Sequence, residues 1–360
     1  MFNGEREITS PVSLTGPDGR LNPDAVGFTR TQLHDTSGIG AGATSWGRNK
    51  RWEYWLITTP THLFSFTISD VDYASSHSVW VYEIPTGKRF EGAVIVPFGV
   101  GAVLPPSLGD GPAVGGSMTL EGQLLPPGPG RIGARVDEVG GETRLRAFGQ
   151  AKGSPEPGEG FGRVRCDVVA GREDGHEALG VVVPWSETRF QYTVKDVARP
   201  ARGWIELDGR RYELPEGESW ATLDHGRGRW PYSMWWNWGA GAGRVADGRA
   251  VGLQFGGKWT DGTGSRENAF QVDGKLFPVH EDLAWEYDET DWLAPWRISS
   301  ESVDVVLQPF WDHAAVTDFG VIAMKAHQVF GYYTGWILAG GERIEVDGIL
   351  GFAEDVRNKW

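Results

Sequence analysis

The chain has 360 residues, with 34 Lys and Arg against 48 Asp and Glu, a formal charge of −14, 52 glycines, 18 tryptophans and one cysteine. That acidic balance, without any Lys/Arg-rich run, speaks against nucleic acid and anionic membrane surfaces as partners, because both are held by basic patches. A single cysteine, Cys166, excludes an internal disulfide framework, and no apolar run approaches a membrane span or a signal segment, so a soluble protein of the cytoplasm is expected.

Residues 1–50 read as an irregular arm, with turn signals at Pro11, Pro17-Asp18-Gly19 and Asn22-Pro23 and a glycine-rich loop from Gly38 to Gly47. Its His34-Asp35 pair could fold over a barrel mouth as a lid. From Trp52 the pattern changes to short alternating strands at 52–58, 63–68 and 79–84, the last ending in the turn Pro85-Thr86-Gly87-Lys88. Strand-like runs continue at 117–121, 143–148, 163–169 and 179–183, separated by loops at 105–106, 126–130 and 153–160. No window carries a helical period. In the second half a strand over 235–240, a turn at Asp247-Gly248, a strand over 250–255 and another over 268–272, ending in Asp273-Gly274-Lys275, repeat this succession about 185 residues later. The repetition predicts a duplicated, helix-poor, all-β chain of two packed antiparallel barrels or sandwiches. The divisions are an arm at 1–50, a first β domain at 51–200 and a second at 201–360.

Familiar catalytic signatures are missing, and two apparent ones fail on context. Gly128-Pro129-Gly130-Arg131-Ile132-Gly133 fits a dinucleotide fingerprint but puts proline in the turn and has no helix after it. The stretch from Gly252 to Lys258 mimics a phosphate loop, yet Trp259 stands where a magnesium-holding Ser or Thr belongs. With no paired histidines or Cys-x-x-Cys, the sequence calls for no metal or cofactor.

The strongest candidate for chemistry is Leu223-Asp224-His225-Gly226-Arg227-Gly228-Arg229. On a regular strand Asp224 and His225 point to opposite faces, so only one lines a given pocket unless a bulge re-aims the other. A carboxyl group at Asp224, walled by Trp230, Trp235, Trp236 and Trp238 with Tyr232 and Asn237 beside them, would be kept protonated by desolvation and could act as an acid. Indole faces could then stabilise a cation. Alternatively, Asp224 pairs with Arg227 or Arg229 and only fixes the strand end. A second cluster runs from Lys258 to Asn268, where Asp261 and Glu267 could pair as acid and base beside Trp259, or form a solvated turn. Nearby, Glu281 and Trp285 follow His280 in a polar segment. In the first half the counterparts are Trp52 and Trp55, together with Asp70, Asp72 and Tyr73. Asp70 and Asp72 would share a strand face as a second acidic site, a calcium ligand pair or a solvated strand end.

Five segments together resemble the domain-of-unknown-function family 2804: Lys50-Arg51-Trp52-Glu53-Tyr54-Trp55, Pro184-Trp185-Ser186-Glu187-Thr188-Arg189-Phe190-Gln191, Leu223-Asp224-His225-Gly226-Arg227-Gly228-Arg229-Trp230-Pro231-Tyr232, Gly256-Gly257-Lys258-Trp259-Thr260-Asp261-Gly262-Thr263-Gly264 and His280-Glu281-Asp282-Leu283-Ala284-Trp285-Glu286-Tyr287. More distantly, Asp224-His225 before a Trp-rich strand is similar to the signature of the carotenoid 1,2-hydratase, AttH and fungal Diels–Alderase group. The ending Gln328-Val329-Phe330-Gly331-Tyr332-Tyr333-Thr334-Gly335-Trp336, with Val346-Asp347-Gly348-Ile349-Leu350-Gly351-Phe352-Ala353-Glu354, resembles the closing strands of that group's second barrel. The resemblance implies two lipocalin-like, calycin-type barrels and acid–base chemistry on an apolar, often isoprenoid ligand. This chain departs from it in a long Gly/Pro-rich middle and in Gly-Arg-Gly-Arg after Asp-His.

Three functions are therefore expected in competition. One is a cofactor-independent hydratase, cyclase or isomerase with Asp224 in a deep Trp-lined cavity. The others are a carrier of hydrophobic ligands without a poised ionisable group, and a carbohydrate-active enzyme with an open cleft and paired carboxylates. All three take a small-molecule ligand as partner, and the sequence is silent on oligomeric state.

Overall fold

The computed structural model describes residues 4–40, 45–117, 119–120, 123–124, 126–153, 155, 158–318, 320 and 323–360. Alternation sends one face of most strands into a core and the other to solvent or a second sheet. Glu142–Gln150 shows this plainly, burying Thr143, Leu145, Ala147 and Gly149 while the residues between them stay more exposed. Two-residue hairpins close where the sequence supplies them: Asp273 and Gly274 both take positive φ, 46° and 77°, as such a turn needs. The runs at 117–121, 38–47 and 153–160 fall partly outside the described residues.

Two large, curled antiparallel sheets result. The principal strands of the first are, in chain order, Asn49–Thr58, His62–Asp70, Ala74–Glu83, Arg89–Pro97, Ile132–Val139, Glu142–Gln150, Arg163–Ala170, Arg189–Leu207 and Trp220–Arg229. Those of the second are Ser233–Arg244, Ala250–Gly257, Asn268–Val272, Lys275–Val279, Ala284–Glu286, Trp296–Ser299, Val303–Asp318, Ala323–Ala339 and Glu342–Lys359. Across each sheet the order is fourth, third, second, first, ninth, eighth, seventh, sixth, fifth. The first strand of each set thus pairs with the last, which lets the sheet curl round its own core. In the first sheet that core is Trp55, Phe64, Phe66, Leu145, Val168 and Leu223; in the second it is Phe255, Phe270, Trp296, Leu307 and Tyr333.

The chain leaves the first sheet at Arg229 and enters the second at Ser233. The strand Trp220–Arg229, which a division at residue 200 assigns to the second domain, is hydrogen-bonded in the first sheet, between Asn49–Thr58 and Arg189–Leu207. The arm is folded: Leu14, Leu21, Val26 and Ile39 pack on Phe190, Tyr192 and Val194, and His34 is buried with its Nε2 2.8 Å from the Ala25 carbonyl oxygen. Outward faces of the two sheets meet along an aromatic seam, where Tyr82 stacks on Trp311 at 4.2 Å and Trp80 contacts Trp311 and Phe330.

One backbone device recurs at equivalent places. Gly203 and Gly335, each on the eighth strand of its sheet, have φ of 126° and 131° and face Val168 and Val305 of the seventh. A Cβ on either would strike the carbonyl oxygen of Asp167 or Asp304. Gly203→Ala and Gly335→Ala are each expected to destabilise the fold by ~2 kcal/mol or more in urea unfolding; losses below ~0.5 kcal/mol would show that neither strand needs the glycine.

Candidate functional site

Asp224 faces the seam between the sheets, and His225 faces the other way. Asp224 Oδ2 accepts a hydrogen bond from the Trp52 indole at 2.9 Å, and Oδ1 accepts one from the Thr193 hydroxyl at 3.1 Å. The Lys195 ammonium stands 2.9 Å from the same Oδ1 and 3.5 Å from Oε1 of Glu267. Lys195, buried in the eighth strand of the first sheet, thereby joins two clusters that lie far apart in the sequence. Burial works against its charge, but Asp224 and Glu267 outweigh burial and hold the ammonium above its ordinary range.

A third carboxyl group completes the set. Glu354 Oε1 accepts from the Trp236 indole at 2.8 Å and Oε2 from the Gln328 amide at 2.9 Å. Glu267 accepts from the Trp259 indole at 3.1 Å. Each of the three acids therefore receives one indole N–H. Burial pushes the Glu267 and Glu354 carboxyls up to about 7, with Asp224 adding to the shift and Lys195 opposing it.

Register shows why Asp224 and Glu354 are comparable. Asp224 sits opposite Tyr54 on one side and Lys195 on the other; Glu354 sits opposite Trp238 and Gln328. These are the same positions of two sheets with the same strand order. The contacts across the seam are reciprocal too: Lys195 lies 4.0 Å from the ring centre of Trp238, and the Tyr54 hydroxyl 3.5 Å from Gln328 Oε1. Where the first sheet has a cation beside its carboxylate, the second has a neutral amide.

The other sequence candidates divide by strand face. His225 lies inside the first core with Glu53, its Nδ1 3.6 Å from Glu53 Oε1, and burial lowers its pKa to about 4. Trp55 is buried in the same core. Asp224 pairs with neither Arg227 nor Arg229: Arg227 donates to the carbonyls of Trp52, Gly226 and Pro105, and Arg229 to those of Gly19 and Gly38. Asp70 and Asp72 are not a shared ion site, since Asp70 pairs with Arg51 while Asp72, at φ 71°, leaves the strand and accepts from the backbone of Gly47 and Asn49. Tyr73 carries the Lys50 ammonium 4.7 Å from its ring centre. Asp261 is exposed in a turn whereas Glu267 is buried, so the two are no acid–base pair. Asn268 braces Gly256 and Glu281 braces Ser302. Trp230 is the hub of the indole cluster, against Trp52, Trp185, Trp236, Trp259 and Trp360, while Tyr232 is exposed beside Arg48. Trp235, Asn237, Lys258 and Trp285 belong to the interior end of the second sheet, not to the seam.

The seam indoles pack on one another instead of walling the deep cavity expected from sequence. Two cavities, of about 500 and about 240 Å3, lie elsewhere, one along Arg89–Ala93 and one between Arg30 and His176. Sequence reasoning missed Lys195, Gln328 and Glu354. A lone lysine in Tyr192-Thr193-Val194-Lys195 carries no motif; Glu354 was reachable only by carrying the duplication through to the last strand.

Comparison with known proteins places the chain in a family. Residues 5–360 match the family described as "Domain of unknown function (DUF2804)", and the chain belongs to it. No curated protein matches. Among solved structures, kievitone hydratase from Nectria haematococca is similar at 9% identity and a TM-score of 0.41 over 86% of this chain and 88% of that one. A putative AttH from Nitrosomonas europaea is similar at 13% identity and 0.41, over 87% and 93%. CghA is similar at 12% identity and 0.42, over 99% and 96%. Likenesses of that size carry neither substrate nor mechanism across.

The raised carboxyls have a consequence for stability. A group whose folded pKa is about 7 against an unfolded value near 4.5 keeps its proton longer when folded, so its contribution is full at low pH and is lost as pH rises through that window. Buried His34, His77 and His225, lowered to about 4, act in the opposite sense, so the comparison must be differential. Relative to Glu354→Gln, the natural chain should lose on the order of 2 kcal/mol of stability between pH 4.5 and pH 7 in denaturant titrations. A difference that does not vary with pH would show that folding leaves the Glu354 carboxyl at its unfolded value.

Proposed function

We propose that the chain is an acid–base enzyme without a cofactor, acting on an apolar unsaturated small molecule at the seam, with Glu354 as proton donor and Asp224 as proton acceptor. One observation carries the reading. Two carboxyl groups at equivalent positions of duplicated sheets have been given different partners, Lys195 for Asp224 and Gln328 for Glu354. Environments that differentiate two acids in this way are how one site holds a donor and an acceptor together at neutral pH.

In the proposed reaction Glu354 transfers its proton to a carbon–carbon double bond or enol ether, leaving a cation on the substrate. The ring faces of Tyr54 and Trp236, both half-buried at the seam, stabilise that charge. The cation then loses a proton to Asp224, giving an isomerised or cyclised product, or adds water whose proton goes to Asp224, giving a hydrated one. Proton return from Asp224 to Glu354 restores the starting state. Lys195 stays protonated throughout and positions Asp224, whose side chain keeps 12% exposure against 1% for Glu267 and so offers the approach for substrate. The carbohydrate-active reading loses its Asp261 and Glu267 pair, and the carrier reading has no use for three buried acids around one lysine.

The test begins with the compound that accompanies the protein from its own host in native mass spectrometry. Glu354→Gln and Asp224→Asn should each slow its conversion by roughly 10²–10⁴-fold while the compound still quenches tryptophan fluorescence. Conversion at the natural rate by either variant removes that residue from the reaction.

A further inference from the structure

The strands that supply Trp236, Trp238 and Glu354 to the seam point their alternate residues, Trp235, Asn237 and Asp355, to the opposite face, at one end of the second sheet's interior. There Lys258 follows the strand Ala250–Gly257 with a φ of 66°, a left-handed conformation that a residue with a Cβ holds only where its surroundings impose it. Its ammonium is 2.6 Å from the Tyr287 hydroxyl and 3.3 Å from Asp355 Oδ2. Tyr287 donates to the same carboxylate oxygen at 2.6 Å, and the Trp235 indole donates to it at 2.7 Å. The Asn237 amide nitrogen donates to the Tyr287 hydroxyl at 3.2 Å. Asp355 is buried, and Lys258 keeps 26% of its side chain exposed.

Two polar atoms in this place have no partner. Asn237 is fully buried, yet its Oδ1 accepts nothing; the Trp285 Nε1 is buried and donates to nothing. Both border Gly257. A Cβ on Gly257 would lie 2.8 Å from Trp285 Nε1, and one on Gly239 would lie 3.2 Å from the far end of the same indole, so the ring lies across both glycines. Gly257 is the direct cross-strand partner of Asn237. A donor and an acceptor buried without partners have given up their hydrogen bonds to water and gained none in return.

We propose that this end of the second barrel is a second ligand site, distinct from the seam, that takes a neutral hydroxylated ring of the pyranose class. A hydroxyl oxygen accepts from the indole N–H and donates to the amide oxygen at once. A carboxylate would satisfy Trp285 but repel Asn237 Oδ1, and an ammonium would do the reverse. The charge of Lys258 is already matched by Asp355, so the site does not call for an anion. The flat indole of Trp285 suits the C–H face of a saturated ring, while Tyr287, whose ring is stacked on Trp296 at 4.0 Å, contributes its hydroxyl with the other polar groups.

Saturation-transfer NMR on the full chain, with the methyl pyranosides of glucose, galactose, mannose and xylose as probes, tests the assignment. Transfer to at least one of them is expected, with affinity falling about tenfold or more in Trp285→Phe, which keeps the ring and removes the N–H. Asp224→Asn, altered only at the seam, should bind the same probe unchanged. The proposal is overturned by no transfer from any of the four, by equal binding in Trp285→Phe, or by loss of binding in Asp224→Asn, which would place the ring at the seam. Circular dichroism of both variants separates loss of the site from loss of the fold.

Discussion

A single buried ammonium, that of Lys195, sets the electrostatics of the seam. Two carboxyl groups, Asp224 and Glu267, pair with it and the charge of Glu354 adds to theirs; without it Asp224 and Glu267 would be buried with no cation between them. Carboxylates in a low-dielectric interior persist only when paired and hydrogen-bonded, and otherwise take up a proton. Asp224 has the cation and two neutral donors, while Glu267 and Glu354, more remotely served, sit with carboxyls raised to about 7. The indoles matter for the same reason: each supplies an N–H without adding charge, so every acid is satisfied while the seam remains largely apolar.

The common strand order explains how the acids come to face one another. Two sheets with one strand order, packed by equivalent faces, bring equivalent residues together across the contact. Tyr54 and Trp238, Trp52 and Trp236, and Asp224 and Glu354 correspond in this way. Their surroundings are nevertheless not identical, since Lys195 stands beside Asp224 and Gln328 beside Glu354. The exchange of lysine for glutamine at these two positions alters the charge beside the acid while keeping a donor to it.

What could be read from the sequence follows the range of the interactions involved. Hairpins at Asp273-Gly274, the alternation of Glu142–Gln150 and the recurrence of an aromatic strand are local, and residues a few positions apart determine them. Period two also separates Asp224 from His225, since nothing in the strand re-aims either side chain. The partner of Asp224 is not local. Lys195, Thr193 and Trp52 come from two other strands, and Arg227 and Arg229, nearer in sequence and the natural guess, point elsewhere to bond carbonyl oxygens. Asp70 and Asp72 show the converse failure, because the positive φ at Asp72 breaks the period that would have put the two on one face.

The same parity governs the inward faces and makes the two barrels differ. Opposite His225 stands Glu53, and opposite Asp355 stands Asn237, so each sheet carries a polar pair inside, one residue away from its seam acid. In the first barrel the pair is sealed: Arg227 lies beside Glu53 and bonds the Pro105 carbonyl, and Ser107 of the same loop bonds the backbone of His34 in the arm. Among the described residues the arm meets the second barrel elsewhere, through Phe28 against Leu276 and His280, and does not cover its pair. That pair is met by Lys258 and Tyr287, which remain partly exposed, and by an indole whose N–H is unused. Covering one end with the described part of the arm therefore does more than bury Leu14 and Ile39. It closes one of two equivalent interiors and leaves the other as the place where a side-chain network can still meet a ligand.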